Sequence, residues 1–149
     1  MNDNKEEFKQ YMLKEIDLIQ DIIKRMATNS FWIKGWTVTL VVATLVLKGS
    51  EFQVFIAFIP LMAFWVLDAY FLRQERLFRK LYDWVINNRL NSDENLFNMN
   101  TSRFEKDVQT ISRIVFSKTL SWFYGSITLM LIIYSFFLIL CHKGRCCYG

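Results

Sequence analysis

Apolar residues recur at helical spacing near the start of the chain. Met12, Ile16, Ile19, Ile23 and Met26 follow a four-three rhythm, and Lys, Glu and Asp fill the opposite face. The pattern predicts an amphipathic, cytosolic helix over residues 5–27 with a coiled-coil-like seam. Three partners fit that seam: the chain's own second charged helix, another copy, or the membrane interface. Thr28, Asn29 and Ser30 are helix-starting side chains, so a separate helix is expected from Phe31. Residues 31–47 are apolar except for Lys34 and three threonines. At about 1.5 Å per residue they cover roughly 26 Å, against a hydrocarbon core of about 30 Å. They span it with local thinning, or with Lys34 reaching for the head groups.

Lys48, Gly49, Ser50 and Glu51 form a polar turn, and the next span returns antiparallel over residues 52–72. Pro60 lies inside it and predicts a bend, because proline removes a backbone donor. No breaker follows, so the helix continues to residue 87, with Leu77, Phe78, Leu81 and Tyr82 keeping one face apolar. Its polar positions form a charged collar: Arg73, Glu75, Arg76, Arg79, Lys80 and Asp83. Of these, Glu75, Arg79 and Asp83 make an i, i+4, i+8 row of alternating sign. Residues 88–102 are an Asn-rich linker with Leu96, Phe97 and Met99 as anchors. Ser102 and Glu105 have capping-box spacing, which predicts a cytosolic helix over 103–118. It runs on into a third span over 119–141, followed by the tail 142–149.

Composition agrees with a membrane class. Hydrophobic residues make up 53% of the 149, mean hydropathy is +0.19, and there are only 5 Gly and 1 Pro. The net charge of +4 lies beside the apolar spans, so anionic lipid head groups are the expected partner and direct nucleic-acid binding is not. The first thirty residues lack the features of a secretory signal peptide. Cations crowd the N-terminal helix and the 73–118 segment, so the positive-inside rule places both in the cytoplasm. Three spans then put the C-terminus outside.

Two ionisable residues lie within the spans, Lys34 and Asp68, and a hairpin folded at 48–51 brings them within about one turn of each other. An intramembrane charge is costly unless paired or hydrated. The pair is therefore a site candidate, although a snorkelling Lys34 and a hydrated Asp68 that merely set helix depth explain the same residues. Trp32, Trp36, Trp65, Tyr70 and Trp122 fit an aromatic belt. Gly35, Thr39 and Ala43 form a small-residue groove on the first span, and Ser121 and Gly125 are small positions on the third. Such faces let a helix approach closely, from the same subunit or another. Arg73, Arg76 and Lys80 form either a phosphate site or a solvated, lipid-facing collar. The tail set Cys141, His142, Cys146 and Cys147 has one His and no second paired spacing, so it is not read as a metal site. Outside the cell those thiols suit intermolecular disulfides, and inside it S-palmitoylation. No Walker loop, G-x-S-x-G or H-E-x-x-H occurs; no catalytic residue, cofactor or metal is assigned and no enzyme is expected.

The stretches N-S-F-W-I-K-G-W (Asn29 to Trp36) and F-W-V-L-D-A-Y-F-L-R-Q-E-R-L-F-R-K-L-Y (Phe64 to Tyr82) resemble those of a widespread group of small prokaryotic integral membrane proteins. The layout is also similar to the SLATT-like membrane effectors of bacterial conflict systems, in which a hairpin of spans is flanked by cytosolic helices. The resemblance covers about residues 10 to 86; the third span and the Cys-bearing tail depart from a two-span pattern. It implies an oligomeric inner-membrane module of antiviral defence that perturbs the bilayer or conducts ions, with a soluble sensor or nuclease as partner. Lys34, Gly35, Trp36, Asp68, Tyr70, Glu75, Arg76 and Arg79 are the positions it marks. A non-enzymatic anchor that recruits a soluble partner, or a small transporter or accessory subunit, are the alternative expectations. In each case the predicted fold is an all-α membrane protein with three transmembrane helices and long cytosolic extensions.

Overall fold

The computed structural model describes residues 2–46, 53–90 and 96–145. Among them every regular element is helical: α1 (Asn2–Val46), α2 (Gln53–Asn88), a single 3-10 turn (Ser102–Phe104), α3 (Ile111–Val115) and α4 (Lys118–Arg145). The polar turn at 48–51, the middle of the linker, Cys146 and Cys147 lie outside the described residues, as do the side chains of Cys141 and His142.

The separate helices expected at 5–27 and from Phe31 are one helix. α1 runs unbroken for 45 residues, about 67 Å. Thr28, Asn29 and Ser30 favour a cap where a helix begins, but inside one they cost only a few tenths of a kcal/mol each in propensity. Packing against α2 on both sides of them outweighs that. α2 likewise runs for 36 residues, with Pro60 inside it. Contacts pair Glu15 with Arg89 and Lys34 with Asp68, so the two rods are antiparallel and hold one register over much of their length.

Two apolar clusters hold the rods together. Toward the far end of the hairpin, Ile19 packs on Leu81 and Val85, joined by Met12, Ile16, Ile23, Phe78, Tyr82, Met99 and Phe104. The N-terminal seam is thus filled by the chain's own second charged helix. Nearer the hairpin tip, Val41, Ala57, Leu61, Ala69, Ile114, Leu120, Tyr124 and Leu131 form the second cluster, which adds α3 and α4 to the pair. Burying the valine, leucine and isoleucine side chains among them contributes about 1.5–3 kcal/mol each.

The helix predicted over 103–118 is replaced by shorter pieces. Ser102 does not cap: its hydroxyl donates to Asn100 Oδ1 at 2.7 Å, and the chain makes a 3-10 turn there. Local side-chain bonds of this kind compete with helix propagation. α3 then starts after an extended Thr110, and a break at Phe116 and Ser117 precedes α4.

Two helices, α2 from Val54 and α4 to Leu140, are long and apolar enough to cross a membrane. The 31–47 stretch is not among them; it is short and carries Lys34. Over residues 132–140, α4 is mostly apolar and open, with Ile132, Ile133, Phe136, Phe137, Ile139 and Leu140 each more than half exposed.

Candidate functional site

Asp68 lies at the crossing of α1, α2 and α4, and it is fully buried. Lys34 Nζ stands 2.6 Å from its Oδ2, and the Ser30 hydroxyl donates to its Oδ1. Lys34 also donates to Ser30 Oγ at 2.8 Å, so one turn of α1 supplies both groups. Tyr124 Oη on α4 donates to Asp68 Oδ2 at 3.1 Å and approaches the Phe64 carbonyl at 3.3 Å. Thr37 is buried one turn along α1 and bonds the Ile33 carbonyl at 2.7 Å.

Each helix delivers its residue for a local reason. Ser30 and Lys34 are four apart and share a face of α1, while Asp68 follows Leu61 by seven on the buried stripe of α2. Tyr124 is held by Trp65, whose ring stacks on it at 5.5 Å and 6° while Nε1 donates to the Val115 carbonyl at 2.9 Å. Trp65 thereby ties the end of α3 to the start of α4. Trp65→Phe keeps the stack but orphans that carbonyl, so thermal unfolding in detergent should show a loss of about 1–2 kcal/mol.

The site is an electrostatic bolt with one accessible side. The Lys34 side chain keeps 25% of its surface exposed, whereas the carboxylate keeps none. A buried carboxylate saturated by three donors from two other helices resists reorganisation, and it registers any sliding of those helices as lost bonds.

A second buried ion pair lies at the far end of the hairpin, and sequence reasoning missed it. Arg89 Nε and Nη2 donate to Glu15 Oε2 and Oε1 at 2.5 and 2.8 Å, with both side chains almost wholly buried. The Phe97 amide donates to Glu15 Oε1 at 2.6 Å, with Phe97 in the left-handed region at φ 55 and its ring edge-on to Tyr11 at 6.1 Å. Glu15 therefore joins α1, α2 and the linker. On the exposed side of α1, Tyr11 donates to Glu7, and that carboxylate raises the phenol's pKa above its ordinary value.

The remaining candidates are dispersed. In the collar, Glu75 binds Arg79 at 2.5 Å and Arg76 donates to Gln109 at 3.2 Å, while Asp83 and Lys80 lie exposed, so the alternating row is paired only in its first half. Gly35, Thr39 and Ala43 face outward, and nothing lies within 4 Å of where a Gly35 or Gly125 Cβ would stand. Ser121 is half-buried, and Trp32, Trp36, Tyr70 and Trp122 are exposed. Comparison of the chain with family models, with curated proteins and with solved structures finds no match.

Proposed function

We propose that the chain is a non-enzymatic, oligomeric module of a prokaryotic inner membrane, an effector of a defence system that perturbs the bilayer or conducts ions, gated through its cytosolic helices. The observation that carries this reading is the continuity of α1. One rod bears both Glu15, in the cytosolic half, and Lys34, at the membrane-level site. A push on the cytosolic end reaches Asp68 with no joint between. α1 is bolted to α2 through Asp68, so residues 31–47 enter the bilayer with it as a third crossing despite their length. The cation bias then places the N-terminus and residues 73–118 in the cytoplasm, with the C-terminus outside. The outward groove at Gly35, Thr39 and Ala43 suits close approach by a second copy.

Proteoliposomes should lose a potassium gradient faster than protein-free liposomes. Gly35→Leu, which fills the groove, should abolish that loss with helix content unchanged. Wild type and an Arg89→Met variant that both stay monomeric in lipid and hold the gradient sink the proposal. A second reading, an anchor for a soluble partner, draws on the exposed Leu13 and Leu18 beside a shallow groove lined by Leu18, Asp21, Ile22, Arg25 and Met99. It expects no flux, and a stable complex lost on charge reversal at Arg76 or Arg79.

A further inference from the structure

The hairpin neutralises two buried carboxylates in different ways. Glu15 takes two nitrogens of the Arg89 fork and the Phe97 amide besides, and neither charged side chain is more than 2% exposed. That pair is sealed. Asp68 is buried as completely, but its cation is the Lys34 ammonium, whose side chain keeps a quarter of its surface open. Arginine with its rigid fork suits a permanent buried pair, whereas lysine is a point charge on a flexible stem that can carry it back to water.

The polar contacts of that ammonium are all oxygens. Asp68 Oδ2 lies 2.6 Å from Nζ, Ser30 Oγ 2.8 Å and the Ser30 carbonyl 3.5 Å. Tyr124 holds the same Oδ2 from the α4 side, and the Ser30 hydroxyl holds Oδ1, so the carboxylate is fixed in place from both neighbouring helices. Carboxylate, hydroxyl and carbonyl oxygens are the ligands that a hard cation accepts in place of its hydration shell. An ammonium and a potassium ion carry the same charge and are close in size, so oxygens gathered round one also suit the other. Among the described residues Lys34 is the one cation within ion-pair distance of Asp68. When its amine swings out, the buried carboxylate needs another counter-charge.

We propose that Asp68 and Ser30 form a binding site for a monovalent alkali cation, potassium in particular, which the tethered Lys34 ammonium fills in this structure and vacates through its open side. The site deepens the reading of the chain as an ion-conducting module, and it rests on that reading for the ion's passage though not for its binding.

Thermal unfolding of the full chain in detergent tests this, with potassium chloride exchanged for N-methyl-D-glucamine chloride at constant ionic strength. Lys34→Ala removes the tether and frees its room. Potassium at about ten times its dissociation constant should then raise the unfolding midpoint by about 4 °C. Wild type, whose site is filled, should unfold alike in both salts, and so should Lys34→Ala combined with Asp68→Asn, which lacks the charge. A Lys34→Ala midpoint that ignores potassium and climbs on acidification shows that a proton neutralises Asp68, and it overturns the proposal. An equal gain in the double variant overturns it too, as a general salt effect. Should Lys34→Ala fold in neither salt, acetylation of wild type decides, read residue by residue by mass spectrometry. Potassium that displaces the amine should speed modification of Lys34 severalfold, while exposed Lys24 reacts alike in both salts. Equal rates at Lys34 refute the site. Proteoliposomes that hold their potassium gradient, beside a Lys34→Ala variant stabilised by potassium, refute conduction and leave the site standing. Flux without any potassium-dependent midpoint or Lys34 reactivity refutes only the site.

Discussion

Asp68→Ala is expected to lower stability by about 3 kcal/mol, near the lower end of what removing one member of a buried ion pair costs. The change strips an acceptor from Lys34, Ser30 and Tyr124 together. Lys34 recovers part of the loss, because a quarter of its side chain already reaches the surface and the rest can follow. Tyr124 cannot, being fully buried against Trp65. Asp68→Asn keeps one acceptor oxygen for the phenol and gives up the charge and the oxygen that accepts from Ser30, so it should cost less than Asp68→Ala, about 1–2 kcal/mol. Thermal unfolding in detergent micelles, followed by circular dichroism, measures both. Equal losses for the two variants would show that the site is held by charge alone and that the Tyr124 bond contributes little.

The same residues show what the sequence carried and what it did not. Folding the hairpin at 48–51 was enough to bring Lys34 to the level of Asp68, because two helices joined by a short turn have only one register. The apolar seam from Met12 to Ile23 likewise found its place on Phe78, Leu81 and Val85. Tyr124 was not legible as a site residue. Where α4 docks depends on the path through the linker, and no periodicity encodes that path. Helix-starting residues at 28–30 and the spacing of Ser102 and Glu105 misled for one shared reason. A capping side chain marks a helix start only where the chain has cause to begin there. Ser30 instead turns its hydroxyl sideways to Asp68, and Ser102 donates to Asn100. Glu15 did leave a signal: it sits three residues after Met12 and four before Ile19, a carboxylate inside the apolar stripe. The register that sets Lys34 against Asp68 brings residue 15 opposite the end of α2, where Arg89 stands.

Arg89→Met is the second large effect, and it separates the far end of the hairpin from the site at Asp68. Glu15 and Arg89 are 2% and 1% exposed, so deleting the guanidinium leaves a buried carboxylate that, among the described residues, the Phe97 amide alone binds. A loss of about 3–5 kcal/mol is expected at that end. The linker should loosen as well, because Phe97 holds a left-handed backbone that its bond to Glu15 helps to fix. Hydrogen exchange should therefore rise over residues 8–26 and 96–104, with the turns around Ser30, Lys34 and Asp68 unchanged. The double variant Glu15→Leu with Arg89→Met tests the cause. Both positions adjoin the cluster of Ile19, Leu81 and Val85, and an apolar pair there needs no desolvated charge, so protection over 8–26 should return in large part. Protection that stays low in the double variant would mean that shape and the contact of Arg89 with Trp84, 5.3 Å from its ring, hold this end, and that the charges do not. Exchange that rises equally at Lys34 and Asp68 in Arg89→Met alone would instead show the two ends of α1 unfolding as one unit.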